Sequence, residues 1–226
     1  MNILAIDSAC STLSVAVAKG EDIYYTETTA EMKQSEIVME LINSQMEKAG
    51  LKPDELNGVL CMGGPGSFTG LRIGYSIAKG LALALSINFA PVPTPECIAN
   101  SITQGVALAL IEARKNAYFY AFFRDGNRIT DCKDADSAQI AGEIKAYNEK
   151  IILTGPGSEL FYHSLPDENK KSLIPNFENR GYAKDIITIA KKLKILDNNN
   201  TEYLYSGPEY IRKTDAELNL AKNTGS

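Results

Sequence analysis

The order of apolar and polar positions predicts three strands and then a helix at the start of the chain. Residues 2–6 are apolar and strand-like, residues 13–18 alternate weakly, and residues 23–29 place Ile23, Tyr25 and Glu27 on one face. Between the first two lies a polar turn, Asp7-Ser8-Ala9-Cys10-Ser11-Thr12, and Lys19-Gly20-Glu21-Asp22 has hairpin chemistry. The period then lengthens. From 35 to 49, Val38, Ile42, Met46 and Ala49 form one helical stripe, with Ser35 as the expected N-cap and Gly50 as the stop. Residues 58–62 read as a buried strand, and residues 71–85 as a long helix.

Further along, residues 89–95 read as a proline-rich connector into a short helix opened by Thr94 and Pro95. Residues 106–112 and 117–123 are two more strands, 137–148 a helix, 150–153 a strand, and Gly155-Pro156-Gly157-Ser158 a second glycine turn. Residues 183–195 form an amphipathic helix with Ile186, Ile187, Ala190 and Leu193 inward. Strands followed by helices, twice over, predict two α/β lobes of mixed sheet flanked by helices, 1–105 and a smaller 106–226.

Composition narrows the class without adding chemistry. With 226 residues, 44% hydrophobic and 23% charged, the chain is an ordinary globular protein of one large or two small domains. No apolar run reaches the roughly 18 residues of a membrane span, no secretory signal is visible, and a cytoplasmic location is expected. Cys10, Cys61, Cys97 and Cys132 form no Cys-x-x-Cys, which argues against zinc and against a redox pair. A formal net charge of −5 leaves no basic footprint for gripping RNA unaided, and Lys191-Lys192-Leu193-Lys194 reads as a solvated helix face. The single histidine, His163, has no motif around it, and Glu112 with Arg114 reads as an ordinary ion pair at a strand end.

The most distinctive stretch joins the strand at 58–62 to the helix at 71–85. It runs Gly63-Gly64-Pro65-Gly66-Ser67-Phe68-Thr69-Gly70-Leu71-Arg72-Ile73-Gly74. A glycine-rich strand-to-helix turn offers free N–H groups at the positive end of a helix dipole, which suits an anion. The known fingerprints do not fit. A P-loop needs a lysine where Leu71 stands, the dinucleotide pattern needs a third glycine where Thr69 stands, and Ser67 directly follows Gly66, unlike a nucleophile elbow. A tight turn without any ligand explains the glycines equally well. Within the helix, Gly70, Gly74, Ala78 and Ala82 recur every four residues, a flank with almost no side chain. It allows close approach either of the chain's own sheet or of a helix from another subunit.

The glycine string resembles the signature of the bacterial TsaB (YeaZ) family, subunits of the machinery that makes N6-threonylcarbamoyladenosine in tRNA. Met1-Asn2-Ile3-Leu4-Ala5-Ile6-Asp7-Ser8, Ile111-Glu112-Ala113-Arg114 with Tyr118-Phe119-Tyr120, and Pro208-Glu209-Tyr210-Ile211-Arg212 resemble other family segments. The resemblance implies two actin-like (ribonuclease H-like) lobes. It implies a non-catalytic subunit that activates a TsaD-type paralogue, together with a TsaE-type ATPase. ATP or ADP and metal are then expected on those partners and not on this chain, tRNA contact only indirectly, and a homodimer in isolation. Val38, Ile42, Met46, Gly70, Gly74, Ala78 and Ala82 become the expected partner interface. Asp7, Ser8, Gly64, Gly66 and Ser67 become a vestigial phosphate turn, where Asp7 either held hydrated Mg²⁺ or only hydrogen-bonds the turn. Family members carry a His-Ser pair at the start of the helix at 35–49, where this chain has Gln34-Ser35, and catalytic relatives carry two metal-binding histidines at helical spacing on that helix, where this chain has none. The alternative reading is a stand-alone peptidase of the M22-like class or a small actin-like ATPase.

Overall fold

The computed structural model describes residues 1–29, 33–196 and 202–211. The chain opens with three strands, β1 (Asn2–Asp7), β2 (Leu13–Lys19) and β3 (Asp22–Thr28), then α1 (Gln34–Ala49), β4 (Gly58–Gly64) and α2 (Phe68–Leu85). After β5 (Asn88–Pro93) and α3 (Thr94–Ala99) come β6 (Val106–Arg114), β7 (Ala117–Arg124), β8 (Asn127–Arg128), β9 (Lys133–Asp136) and α4 (Ser137–Ile144). The rest is β10 (Ile151–Thr154), α5 (Ser158–Ser164), α6 (Asp167–Lys170), β11 (Leu173–Pro175), α7 (Ala183–Lys192) and α8 (Glu202–Tyr205).

Two mixed sheets result. The first has the order β3-β2-β1-β4-β5, antiparallel on the β2 side of β1 and parallel on the β4 side. The second, β11-β10-β6-β7-β8 with β9 also on β7, repeats this plan around β6, antiparallel to β7 and parallel to β10. The duplicated plan is that of two actin-like lobes.

Alternation along the strands sorts side chains by size into three layers. On β1, Leu4 and Ile6 face the core under α1 and α2, while Ile3 and Ala5 face the core between the sheets. On β6, Val106, Leu108 and Leu110 face the core under α4 and α5, while Ala107, Ala109 and Ile111 face inward. The inward faces are rich in alanine: Ala5, Ala16, Ala18, Ala90, Ala107, Ala109 and Ala121. Small residues there leave room for α3 and α7 to wedge between the sheets, bringing Ile98, Tyr182, Ile186 and Ile187 into the shared core.

Several sequence expectations are corrected. The proline-rich stretch is β5, which among the described residues is a strand at the sheet edge paired only with β4. Proline lacks the N–H a central strand needs, but an edge strand tolerates it. Ser35 does not cap α1, because Gln34 already lies in the helix and Lys33 precedes it; likewise Thr94 is the first residue of α3. Leu193 follows the end of α7 and is 51% exposed. Residue 105 separates the sheets but not the helices, since α7 returns from the second half to lie on β1, β2 and β4. The loop at 197–200 and Arg212 lie outside the described residues. Among the described residues no helix is long and apolar enough to cross a membrane.

Candidate functional site

The glycine string is shaped by its own chain. Ser67 caps α2, its hydroxyl accepting the Gly70 N–H at 3.2 Å. A Cβ on Gly66 would stand 2.7 Å from the Ala9 carbonyl oxygen, and one on Gly70 only 1.8 Å from that of Ser8. Ser8 is buried and donates its hydroxyl to the Gly70 carbonyl at 2.7 Å. One turn on, a Cβ on Gly74 would approach the Ser8 hydroxyl to 2.8 Å. At the other end of the string, Gly64 has φ +109°, and a Cβ there would lie 2.5 Å from the carbonyl oxygen of Glu209, whose N–H donates to Gly63 at 2.8 Å. The glycines therefore admit two backbone segments, the turn after β1 and residues 206–211.

This overturns the expected partner interface. Gly70, Gly74, Ala78 and Ala82 are all buried beneath the chain's own first lobe, and Val38, Ile42 and Met46 are sealed into the same core. Small residues were needed because α2 crosses the β1 turn at backbone contact distance. The opposite flank of α2 is the outward one. Ile73 and Ile77 are half-buried, Ser76 and Gly80 exposed, and Leu83 64% exposed. Ile37 and Leu41 of α1 are half-buried, and Met39 is 41% exposed.

Asp7 is closed off in the same way. Its carboxylate is fully buried and accepts two backbone N–H groups, from Ala9 at 3.1 Å and from Tyr182 at 2.8 Å. Two more side chains of the first sheet take the neighbouring amides. Glu27 accepts the Gly181 N–H at 2.8 Å and Ser14 the Ala183 N–H at 3.0 Å. The start of α7, a ready-made anion site, is thus filled by the chain's own oxygens. Burial pushes the Asp7 carboxyl up to about 6, against the opposing pull of the Tyr182 and Ala9 N–H groups. Among the described residues no three His, Cys, Asp or Glu side chains gather as a metal would require. With both oxygens engaged and no water access, Asp7 does not fit a metal-holding role; it fits a backbone clamp. Sequence reasoning missed Ser14, Glu27 and Gly181. Their only signal is the glycine, whose Cβ would meet the Ser14 Cβ at 2.2 Å.

A cleft of about 570 Å³ remains between the lobes, at the carboxyl ends of β1, β4 and β6. Ala9, Cys10, Ser11, Gln34, Ser35, Ser67, Thr69, Gly70, Ile73, Ile111, Glu112 and Pro156 line it. Open α/β sheets bind ligands at this place. Yet the charged side chain in this lining is the carboxylate of Glu112, and no lysine or arginine is among the lining residues. Of the proposed phosphate turn, Ser67 faces the cleft, whereas Asp7, Ser8 and Gly64 are buried and Gly66 packs on Ala9. Glu112 is not ion-paired with Arg114 among the described residues. Burial raises the Cys10 thiol, with Asp7 adding to the effect, so it stays protonated. His163 is exposed on α5 and packs on Tyr162 and Phe177.

Comparison with known proteins places these features. A sequence profile of the family described as TsaD: tRNA N6-adenosine threonylcarbamoyltransferase matches residues 27–159. The tRNA threonylcarbamoyladenosine biosynthesis protein TsaB of Escherichia coli (strain K12) is 32% identical over 236 residues, covering 96% of each chain. Its counterpart from Bacillus subtilis (strain 168) is 30% identical over 227 residues, again covering 96% of each. Among solved structures, YeaZ from Pseudomonas aeruginosa is similar with a TM-score of 0.74 at 17% identity, over 92% of this chain and 99% of that one. A Pseudomonas aeruginosa protein described as uncharacterised, with similarity to peptidase YeaZ, reaches 0.77 at 17% identity over 93% and 99%. At such identity the structural likeness speaks for the fold.

Proposed function

We infer the role of this chain from its kinship: it belongs to the TsaB family of tRNA threonylcarbamoyladenosine biosynthesis proteins, at 30% and 32% identity to two members. Within that biosynthesis we propose that it is the non-catalytic subunit, which docks onto a TsaD-type catalytic paralogue and activates it. The paralogue transfers the threonylcarbamoyl group to N6 of adenosine 37 in tRNA. The observation that carries this reading is the state of Asp7. The residue placed to hold a metal or phosphate is buried, with each carboxylate oxygen accepting a backbone N–H. A chain whose nucleotide turn is filled by its own backbone has exchanged chemistry for rigidity.

The docking face is then the outward flank of α1 and α2, built on Ile37, Leu41, Ile73 and Ile77. These four half-buried aliphatic side chains make an apolar surface that a second helix pair would cover. The catalytic family's profile spans both helices, so the paralogue carries an equivalent pair and like faces like. Metal, ATP or ADP reside on the paralogue and on a TsaE-type ATPase, in the cytoplasm. The net charge of −5 leaves most of the tRNA contact to those partners. Alone, the chain pairs with a second copy through the same face.

Reconstituted modification of tRNA with labelled threonine tests this. Leaving the chain out, or supplying Ile77→Asp, is expected to reduce incorporation to background, and Ile77→Asp to elute apart from the paralogue on a sizing column. Steady ATP or peptide turnover by the isolated chain, abolished by Asp7→Ala, would instead establish the stand-alone enzyme.

A further inference from the structure

Two motif segments far apart in sequence meet on the surface next to the outward flank of α2. Phe68 and Arg72 belong to the glycine string, and Tyr210 to Pro208-Glu209-Tyr210-Ile211. Residues 206–211 form a strap along α2. Lys79 Nζ donates to the Ser206 carbonyl, and Glu209 N–H donates to Gly63 at 2.8 Å. At its end the Tyr210 ring stands 4.8 Å from that of Phe68, the Arg72 guanidinium lies 3.8 Å from the Phe68 ring centre, and Arg72 Nε donates to the Tyr210 hydroxyl at 3.4 Å. The cluster is not core: Arg72 is exposed and Tyr210 is 41% exposed. None of the ion pairs among the described residues uses Arg72. Arg72 and Phe68 themselves line a depression of about 510 Å³, together with Ser35, Thr69, Ile73, Ser76 and Ile77.

We propose that Arg72 is a specificity-determining contact for the catalytic paralogue. The depression takes an apolar side chain from the partner's helix pair, and Arg72 takes a carboxylate next to it. The proposal rests on the docking reading above and deepens it. An exposed arginine loses rotamer entropy when a partner fixes it, and stacking on Phe68 with a bond to Tyr210 already restrains this one. A pre-placed guanidinium fork favours a planar carboxylate over other partners. The floor of the depression, Ile73 and Ile77, is the docking face itself, so apolar and charged contacts belong to one continuous surface. The strap thereby acquires a role: Tyr210 is a positioning residue, acting through Arg72.

Calorimetric titration of the full chain against the purified TsaD-type paralogue, at low and high salt, tests this with variants R72Q, R72K, Y210A, Y210F and I77D. Expected at low salt is a weakening of about tenfold or more for R72Q, with most of the salt dependence lost, and a smaller effect for R72K. Y210A should match R72Q, the Y210A/R72Q pair should be no worse than either alone, and Y210F should stay within about threefold of wild type. If Y210A fails to fold, R72Q and Y210F carry the test. Wild-type affinity and salt dependence in R72Q, with binding lost in I77D, would overturn the proposal and leave the docking face standing. Wild-type affinity in I77D would remove the docking face and this proposal with it. A loss confined to self-association would assign the surface to a second copy and overturn the proposal.

Discussion

Asp7 and Tyr182 are 175 residues apart, and the Asp7 carboxylate accepts the Tyr182 backbone N–H at 2.8 Å in the interior of the protein. With the bonds that the Gly181 N–H donates to Glu27 and the Ala183 N–H to Ser14, it fixes the first turn of α7 onto the first sheet. The polar turn after β1 is directed at the chain's own amides. The helix dipole still meets negative charge, but the charge is covalently attached.

This clamp predicts a pH dependence. Burial raises the folded-state pKa of Asp7 from the ordinary 3.8 to about 6. The folded chain therefore holds its proton more tightly than the unfolded one. The associated stability is fully present below about 4, is lost as pH rises through about 6, and corresponds to about 3 kcal/mol at most. Urea unfolding of wild type and Asp7→Asn at pH 4.5 and 7.5 should show the wild type losing about 2 kcal/mol relative to the variant at the higher pH. Parallel profiles for the two proteins would rule the effect out.

Two glycines in α2 should respond oppositely to the same substitution. A Cβ at Gly70 would stand 1.8 Å from the backbone oxygen of Ser8, whereas one at Gly80 meets nothing within 4 Å. Gly70→Ala is expected to cost about 3 kcal/mol or more, because backbone must move. Gly80→Ala should gain about 0.5–1 kcal/mol by restricting the unfolded chain, raising Tm by about 1–4 °C. Thermal melts of the two variants check this, and a Gly70→Ala protein as stable as wild type would contradict the close crossing of α2 over the β1 turn.

The strap depends on Gly64, where both space and conformation exclude a side chain. With φ at +109° and the Glu209 carbonyl oxygen only 2.5 Å from where a Cβ would stand, Gly64→Ala should detach residues 206–211. Chymotrypsin should then cut after Tyr205 or Tyr210 at least tenfold faster than in wild type, read by mass spectrometry of the fragments. Equal cleavage rates would show that the strap is held elsewhere.

Cysteine reactivity reports on the wedge between the sheets. Burial raises all four thiols, but Cys10, Cys61 and Cys97 are buried whereas Cys132 is partly exposed. Ellman's reagent should label Cys132 first in the native protein, with the others following only at the rate of opening, and all four at once in denaturant. Prompt labelling of Cys97 without denaturant would contradict the packing of α3.

Local pattern was enough to read most of the first sheet, α1, α2 and α7, because burial on one face imposes a period on the residues of that element alone. It was also enough to read that Gly70, Gly74, Ala78 and Ala82 face something at very short range. What that something is could not be read, because a flank of glycine and alanine looks the same to its own sheet as to a foreign helix. The β1 turn that fills it lies some sixty residues earlier, and only the folded chain brings the Ser8 carbonyl there. The same holds for Asp7: its type and turn announce a group that wants N–H donors, but those of Tyr182 reach it through the return of α7 across the lobes. Sequence determined which residues need a close or polar neighbour, since that is a property of each side chain. Tertiary structure decided which neighbour they have, since that depends on contacts between segments far apart in the chain.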